Sequence, residues 1–434
     1  MSTPILIAFI FIILTLLYIL NKNPNSNKKI NKNKENTSEK ENKKEKEKIE
    51  KEKELELKKI KEFEKENENF LKEHLIKSIK DLKTIKKIIF THNGHVIIFC
   101  DDKQICFVYL PTINSKINPK IISKSIQYDS ITDITYSNEK KQIFVSTKNQ
   151  KKIFSLNFIQ KDNKNKLNLS EDFILTERKF EIAQITVTTN ENNFISTSGT
   201  NNDTEIQIYN TVTKNLEKKI DTGGIHNIEI KMTPDNKDLL ISTFLNEISV
   251  INFEKNEKFN NTTLKYENSF KFIRKNSISG IKAKILSFSF SNNENFFLVS
   301  TENKMIKILQ IFGNICDSKV FKEIKTDFNV KIVSMYIEEF YNGKLNGKIA
   351  YSEDNNIYVC DCEGKNIITF KEAHDNEIVN LKIVKINTQE EKEDKIERDY
   401  NKINFDENLE KDNKNGEILI ISGSKDGRIK FWKI

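Results

Sequence analysis

The chain closes on SGSKDGRIKFWKI, Ser422 to Ile434, which holds the single tryptophan, Trp432, of its 434 residues. Polar turn residues around Asp426-Gly427 stand ahead of an alternating run, and alternation with a period of two, entered through Asp-Gly, reads as the second strand of a β-hairpin. The strand stops as soon as it is made. Its outer border must either stay open, presenting a row of unpaired amide and carbonyl groups, or be covered by a segment from elsewhere in the chain.

Upstream, the same texture recurs. Phe90 to Tyr109, FTHNGHVIIFCDDKQICFVY, and Tyr136 to Phe158, YSNEKKQIFVSTKNQKKIFSLNF, each run apolar strand, Asn-rich turn, apolar strand, tight polar turn, alternating strand. The order returns in Ile185 to Asn210, Ile230 to Phe253, Leu286 to Phe312 and, more weakly, Val333 to Asp361. The last copy joins Val379 to Asn387 with Ile418 to Ile434. Units of about 45 to 60 residues built from antiparallel strands read as the blades of a β-propeller. A four-stranded blade cannot cover its own two faces, whereas blades packed around an axis bury every face against a neighbour. The expected fold is all-β with seven blades. The last blade has only three strands of its own, so the stretch before the first blade, HLIKSIKDLK from His74 to Lys83, is expected to supply the fourth and close the ring.

Glycine (12) and proline (5) are scarce, so Asn and Asp carry most of the turn chemistry. The 71 basic and 63 acidic residues leave a formal charge of +8; with both signs so dense, nucleic-acid binding does not follow from charge. Five cysteines, Cys100, Cys106, Cys316, Cys360 and Cys362, are an odd number scattered over a long chain, unlike a secreted disulfide framework. Cys360 and Cys362 could form half a metal site, but no second pair of thiols or imidazoles completes a zinc set. No metal and no cofactor are therefore expected. His92, His95 and His226 fall at turns or strand starts without paired ligands. Phosphate-loop, dinucleotide and HExxH patterns do not occur.

Residues Ile5 to Leu20, ILIAFIFIILTLLYIL, carry no charge and with Met1 to Pro4 approach the ~20 residues that a bilayer-crossing helix needs. Lys22, Lys28, Lys29, Lys32 and Lys34 follow with no acid until Glu35, which favours a cytosolic placement of all that comes after. Glycosylation at Asn36, Asn168, Asn202 or Asn260, which begin acceptor patterns, would reverse that topology. The expected organisation is an anchor at 1-21, a Lys/Glu-rich helical stalk at 22-69, and a propeller at 70-434 with a disordered insertion at 387-416. Ile49, Ile60, Phe63 and Phe70 fall on a heptad seam, but Lys53, Glu56 and Asn67 occupy its other positions, so a solvated single helix is favoured over a coiled coil.

The terminal repeat, with Ala373-His374 about fifty residues upstream, resembles the WD40-repeat family. That resemblance implies that His374, Ser422, Asp426 and Trp432 form a buried hydrogen-bonded chain tying the strands of a blade. Other repeats put Tyr109, Leu156, Tyr209, Ile251 or Leu309 in the Trp position. Ser422, His374 and Asp426 also resemble a hydrolase set, but a nucleophile must be reachable and Ser422 belongs to an interior strand, so no catalytic residue is assigned. No polar cluster for the central channel is visible along the sequence.

The order of anchor, stalk and propeller, with Lys284 to Leu309, resembles the transducin beta-like branch of the family. This implies a non-enzymatic protein-interaction scaffold at the endoplasmic-reticulum membrane, its propeller in the cytosol. The implied partners are other proteins, among them the stress-sensing eIF2α kinase of that membrane, and translation machinery or RNA. The alternatives are an exchange factor for a small GTPase of vesicle formation, and an RNA or ribosome tether.

Overall fold

The computed structural model describes residues 35–80, 82–90, 96–109, 121–126, 129–137, 142–161, 164–188, 194–200, 203–223, 227–243, 247–260, 265–278, 280–386 and 417–434. The anchor segment, the lysines at 22–34, His92, His95, His226 and the 387–416 insertion lie outside them. Among the described residues no helix is long and apolar enough to cross a membrane.

The chain divides into two compact units, Met1–Glu68 and Asn69–Ile434. Most of helix α1 (Glu35–His74) lies in the first. Its apolar residues Ile49, Leu55, Leu57, Ile60 and Phe63 are all about half exposed. Nothing among the described residues packs this helix as a coiled coil, and its Lys and Glu stay solvated.

The second unit is built from strands β1 (Leu75–Lys80) to β28 (Arg428–Lys433). They form seven sheets of four antiparallel strands: β2–β5 (Lys87–Ser125), β6–β9 (Ile131–Leu175), β10–β13 (Ile182–Asp221), β14–β17 (Asn227–Arg274), β18–β21 (Ile285–Lys325), β22–β25 (Ile332–Phe370), and β26–β28 (Ile378–Lys433) with β1. These are blades 1 to 7. The first strands, β2, β6, β10, β14, β18, β22 and β26, each touch the next, and β2 touches β26, so they line an axis and the ring is closed.

The buried side chains fall into clusters, each lying between two neighbouring blades. On β3 (Val96–Cys100), Ile97 and Phe99 pack with Ile421 and Phe431 of blade 7, whereas Ile98 and Cys100 pack with Ile134 and Val145 of blade 2. Successive strand residues point to opposite faces. A middle strand covered on both faces therefore reads as an unbroken apolar run, such as VIIFC or IFV, instead of an alternating one.

Blade 7 takes its fourth strand from upstream of blade 1, as the sequence required: β1 pairs antiparallel with β28, Ile79 opposite Ile429 and Leu75 opposite Trp432, in the order β1-β28-β27-β26. The last turn of α1 reinforces this closure within the second unit. The Phe70 ring lies 5.8 Å from that of Phe370, which in turn lies 5.1 Å from the Trp432 ring. His74 Nδ1 is 3.0 Å from the Lys433 carbonyl oxygen. Two glycines let the seam close. A Cβ on Gly423 would come 1.9 Å from Cδ1 of Ile88, and Gly427, at φ +80, would bring one 2.1 Å from the Leu82 carbonyl oxygen. Any other residue at Gly427 would meet both a left-handed backbone and this carbonyl.

Because β1 is the strand that pairs the start of the second unit with β28, Ile79→Ala is expected to lower unfolding free energy by about 3 kcal/mol. Leu57→Ala on the exposed face of α1 should change it by less than about 0.5 kcal/mol. Chemical denaturation of the two variants measures both.

Candidate functional site

His374 sits in the connection from blade 6 to blade 7, four residues ahead of β26. Its Nε2 is 2.7 Å from Ser422 Oγ on β27 (Glu417–Ser424), and its Nδ1 is 2.9 Å from Asp426 Oδ2 in the turn before β28. Trp432 Nε1 donates to Ser422 Oγ at 2.8 Å. An indole nitrogen only donates and an ionised carboxylate only accepts. The directions follow: Trp432 donates to Ser422, the Ser422 hydroxyl donates to His374 Nε2, and the His374 Nδ1–H donates to Asp426. Imidazole is thereby fixed as one neutral tautomer. Burial lowers the His374 pKa from its ordinary 6.5, against the pull of Asp426. Burial alone would raise Asp426, but the bond from His374 and the backbone N–H groups of Arg428 and Asp375 bring it down to about 2.

This chain of bonds has the connectivity of a hydrolase triad. It cannot act as one, because Ser422 is 0% and His374 1% exposed, and the serine oxygen already accepts from the indole. No substrate atom can approach it.

Two other blades solve the same problem with different residues. In blade 3, Arg178 stands four residues ahead of β10, where blade 7 has His374. Its Nη1 bonds Asp203 Oδ2 at 2.8 Å, its Nε bonds Thr197 Oγ1 at 2.9 Å, and its Nη2 reaches the carbonyls of Thr197 and Glu205. Tyr209 replaces the tryptophan, accepting from the Glu177 amide at 2.9 Å and donating to Gln207 Oε1. In blade 2 the polarity reverses. Asp129, in the incoming connection, accepts from the backbone amides of Asn149 and Gln150 at 3.0 and 2.7 Å. The position of Arg178 relative to its strand was the one sequence signal for its role, and it was hidden because the family pattern asks for histidine there.

The central channel holds a second set of polar groups, missed from sequence because its members come from seven distant segments. Each inner strand is the border of its sheet, and a side chain from one blade caps the backbone of the next. Asp133 Oδ2 accepts from Ile185 N at 2.8 Å, Gln184 Oε1 from Ile230 N at 2.9 Å, and Glu229 Oε2 from Phe288 N at 3.0 Å. Ser334 Oγ accepts from Ile383 N at 3.0 Å, and Asn380 Nδ2 donates to the Ile88 carbonyl at 3.1 Å. Between blades 5 and 6, Asn292 holds both the amide and the carbonyl of Ile337. Lys87 Nζ lies 2.5 Å from Asp133 Oδ1, joining blade 1 to blade 2. Asp133, Gln184, Glu229, Ser334 and Asn380 are all third residues of their strands. The cavity they enclose has a volume of about 590 Å³.

Cys360 and Cys362 are buried in blade 6, and burial pushes both thiols up to about 12. Protonated thiols are poor ligands and poor nucleophiles. Among the described residues no group of three or more His, Cys, Asp or Glu side chains is placed to hold a metal.

With this geometry in hand, comparison with known proteins adds one match: the family model for the WD domain, G-beta repeat covers residues 411–433. No curated protein matches the chain. A WD40 repeat thus stands in the last blade of a seven-bladed β-propeller.

Removing His374 leaves a buried carboxylate and hydroxyl without their partner, and His374→Ala should cost about 3 kcal/mol. Since the folded state holds His374 neutral, its contribution is complete above pH 6.5 and is lost as pH falls below it; that of Asp426 is lost only as pH falls from 3.8 toward 2. The melting temperature should therefore drop between pH 7 and 5, and His374→Ala should flatten that slope. Arg178→Met, which strands Asp203, should destabilise by about 3 kcal/mol, as denaturant titration would record.

Proposed function

We propose that this protein is a membrane-anchored scaffold whose cytosolic propeller assembles other proteins at the surface of the endoplasmic reticulum. A closed, seven-bladed ring with a WD40 repeat is the observation that carries this reading. Its loops and faces are held in fixed geometry by the clasps within blades and the caps between them, and preorganised surface is what a scaffold has to offer. Among the described residues the triad-like set of His374, Ser422 and Asp426 is sealed from solvent, and the function proposed is that of a non-enzymatic scaffold. The apolar run Ile5 to Leu20, followed by lysines, supports an anchor with the ring on the cytosolic side. Tethering to a membrane raises the effective concentration of the ring toward partners in the same plane.

In its order of parts the chain resembles transducin beta-like protein 2. On that likeness the proposed partners include the stress-sensing eIF2α kinase of the same membrane, with a role in the unfolded protein response.

Expressed in cells, the full chain should stay with membranes through alkaline carbonate extraction, while a chain starting at Glu35 should be released. Crosslinking from intact membranes should then capture partner proteins through the ring, and capture should persist after nuclease treatment. Release of the full chain by carbonate would overturn the anchor. Capture lost on nuclease treatment would favour the RNA tether, and nucleotide exchange on a purified GTPase would favour the vesicle reading.

A further inference from the structure

In blade 6 the turn between β23 (Lys344–Glu353) and β24 (Asn356–Asp361) lies beside the connections that enter and leave the blade. Together they wall a recess of about 210 Å³, with Phe328, Ser352, Glu353 and Asp354 in its lining. Tyr351 and Tyr358, opposite each other on neighbouring strands, stack with their planes 10° apart, and the Phe328 ring packs 5.0 Å from that of Tyr358. The Tyr358 hydroxyl donates to Glu353 Oε2 at 3.4 Å. All three rings are partly exposed. Among the described residues no cation sits over any of them, and Asp327, Glu353 and Asp354 form no ion pair. Lys331, which also lines the recess, is spent on Glu377 at 3.3 Å. Ser352 is 4% exposed, and its hydroxyl makes no hydrogen bond among the described residues.

We propose that this recess binds an organic cation of the alkylammonium class, presented as a lysine side chain by a basic segment of a partner protein. The proposal rests on the scaffold reading for the protein that supplies the lysine, while the recess itself does not depend on it. An aromatic ring offers a cation its negative face, Glu353 and Asp354 offer charge, and the buried Ser352 hydroxyl offers an oxygen with free acceptor capacity. Burial first, and then the charges of Asp354 and Asp327, raise the Glu353 pKa, and the pull of Lys304 is the weakest influence on it. Like charges thus crowd at this rim without a partner in contact, and a bound ammonium would relieve them. A metal ion suits the recess less well, because among the described residues no three His, Cys, Asp or Glu groups converge to hold one. A lysine brings methylenes that pack on Phe328 beneath a charged head.

The test is fluorine NMR of the full chain in detergent, carrying fluorotyrosine, with the signals of Tyr351 and Tyr358 assigned by Tyr351→Phe and Tyr358→Phe. The probe is a capped Gly-Gly-Lys-Gly-Gly peptide, and the control is the same peptide with norleucine in place of lysine. The lysine peptide should shift both signals saturably, less so as salt is raised, and the norleucine peptide should not. Glu353→Gln, which breaks no ion pair and so leaves the protein folded, should weaken binding by about fivefold or more. Phe328→Leu, which keeps an apolar side chain, should weaken it too, and Glu217→Gln on the exposed outer strand of blade 3 should not. Absence of a saturable shift, an equal shift with norleucine, or undiminished affinity in Glu353→Gln at an unchanged melting temperature would overturn the proposal. So would a shift produced by spermidine but not by the peptide, which would assign the recess to a free polyamine, or one produced equally by calcium chloride. Loss of membrane retention or of partner capture would defeat the scaffold reading and leave the result of this titration standing.

Discussion

A ring of sheets has no stable form until its last blade meets its first, and here that meeting is made by β1 against β28. Every other interface lies between blades consecutive in the chain. The seam between blades 7 and 1 alone joins residues more than three hundred positions apart, as Ile79 and Ile429 do. Loop-closure entropy for such a span is large but grows slowly with length, so a handful of backbone bonds with a buried apolar cluster around Ile79, Ile429 and Phe431 can hold it. The same strand removes the open border that Trp432 would otherwise present. Gly423 and Gly427 belong to this seam because the chain passes there too closely for a side chain.

Burial between blades is apolar and non-directional, and it alone would allow blades to slip or tilt. Two polar systems remove that freedom. Inside a blade, the clasps of His374, Arg178 and Asp129 tie the incoming connection to the hairpin turn. Around the axis, caps such as Asp133 to Ile185 and Gln184 to Ile230 fix one inner strand against the next. Polar groups buried this way are costly if any member is lost, and specific when all are present. Arg178 shows that the requirement is for a donor of the right reach, since a guanidinium replaces the neutral imidazole and an ion pair with Asp203 replaces the bond from imidazole to carboxylate.

The axial caps leave the channel wall charged. A side chain that caps a neighbour's amide must be an acceptor, which places carboxylates in the third layer and calls for lysines to balance them. Lys382 lines the same wall from blade 7, its pKa lowered to about 8 by burial and by the charge of Lys231. A channel built to hold blades together thus acquires a basic interior as a consequence of its own construction.

Much of the architecture was legible along the chain because it rests on local pattern. Seven strand-turn-strand units, the short polar turns and the three-stranded last repeat show in the order of apolar and polar residues, and the missing fourth strand pointed to the segment after the stalk. His374, Ser422, Asp426 and Trp432 could be singled out because their residue types match a known repeat. Arg178 and Asp129 could not, since a different residue does the same work and no pattern marks it. The channel was out of reach for a deeper reason. Residues such as Asp133, Glu229, Lys231 and Lys382 are each unremarkable beside their chain neighbours, and only closure of the ring brings them to one axis. Sequence by itself determined the strands, because alternation and turn chemistry act between adjacent residues; which side chains share a dry, charged interior was decided by tertiary structure, because electrostatic interaction depends on distance through space.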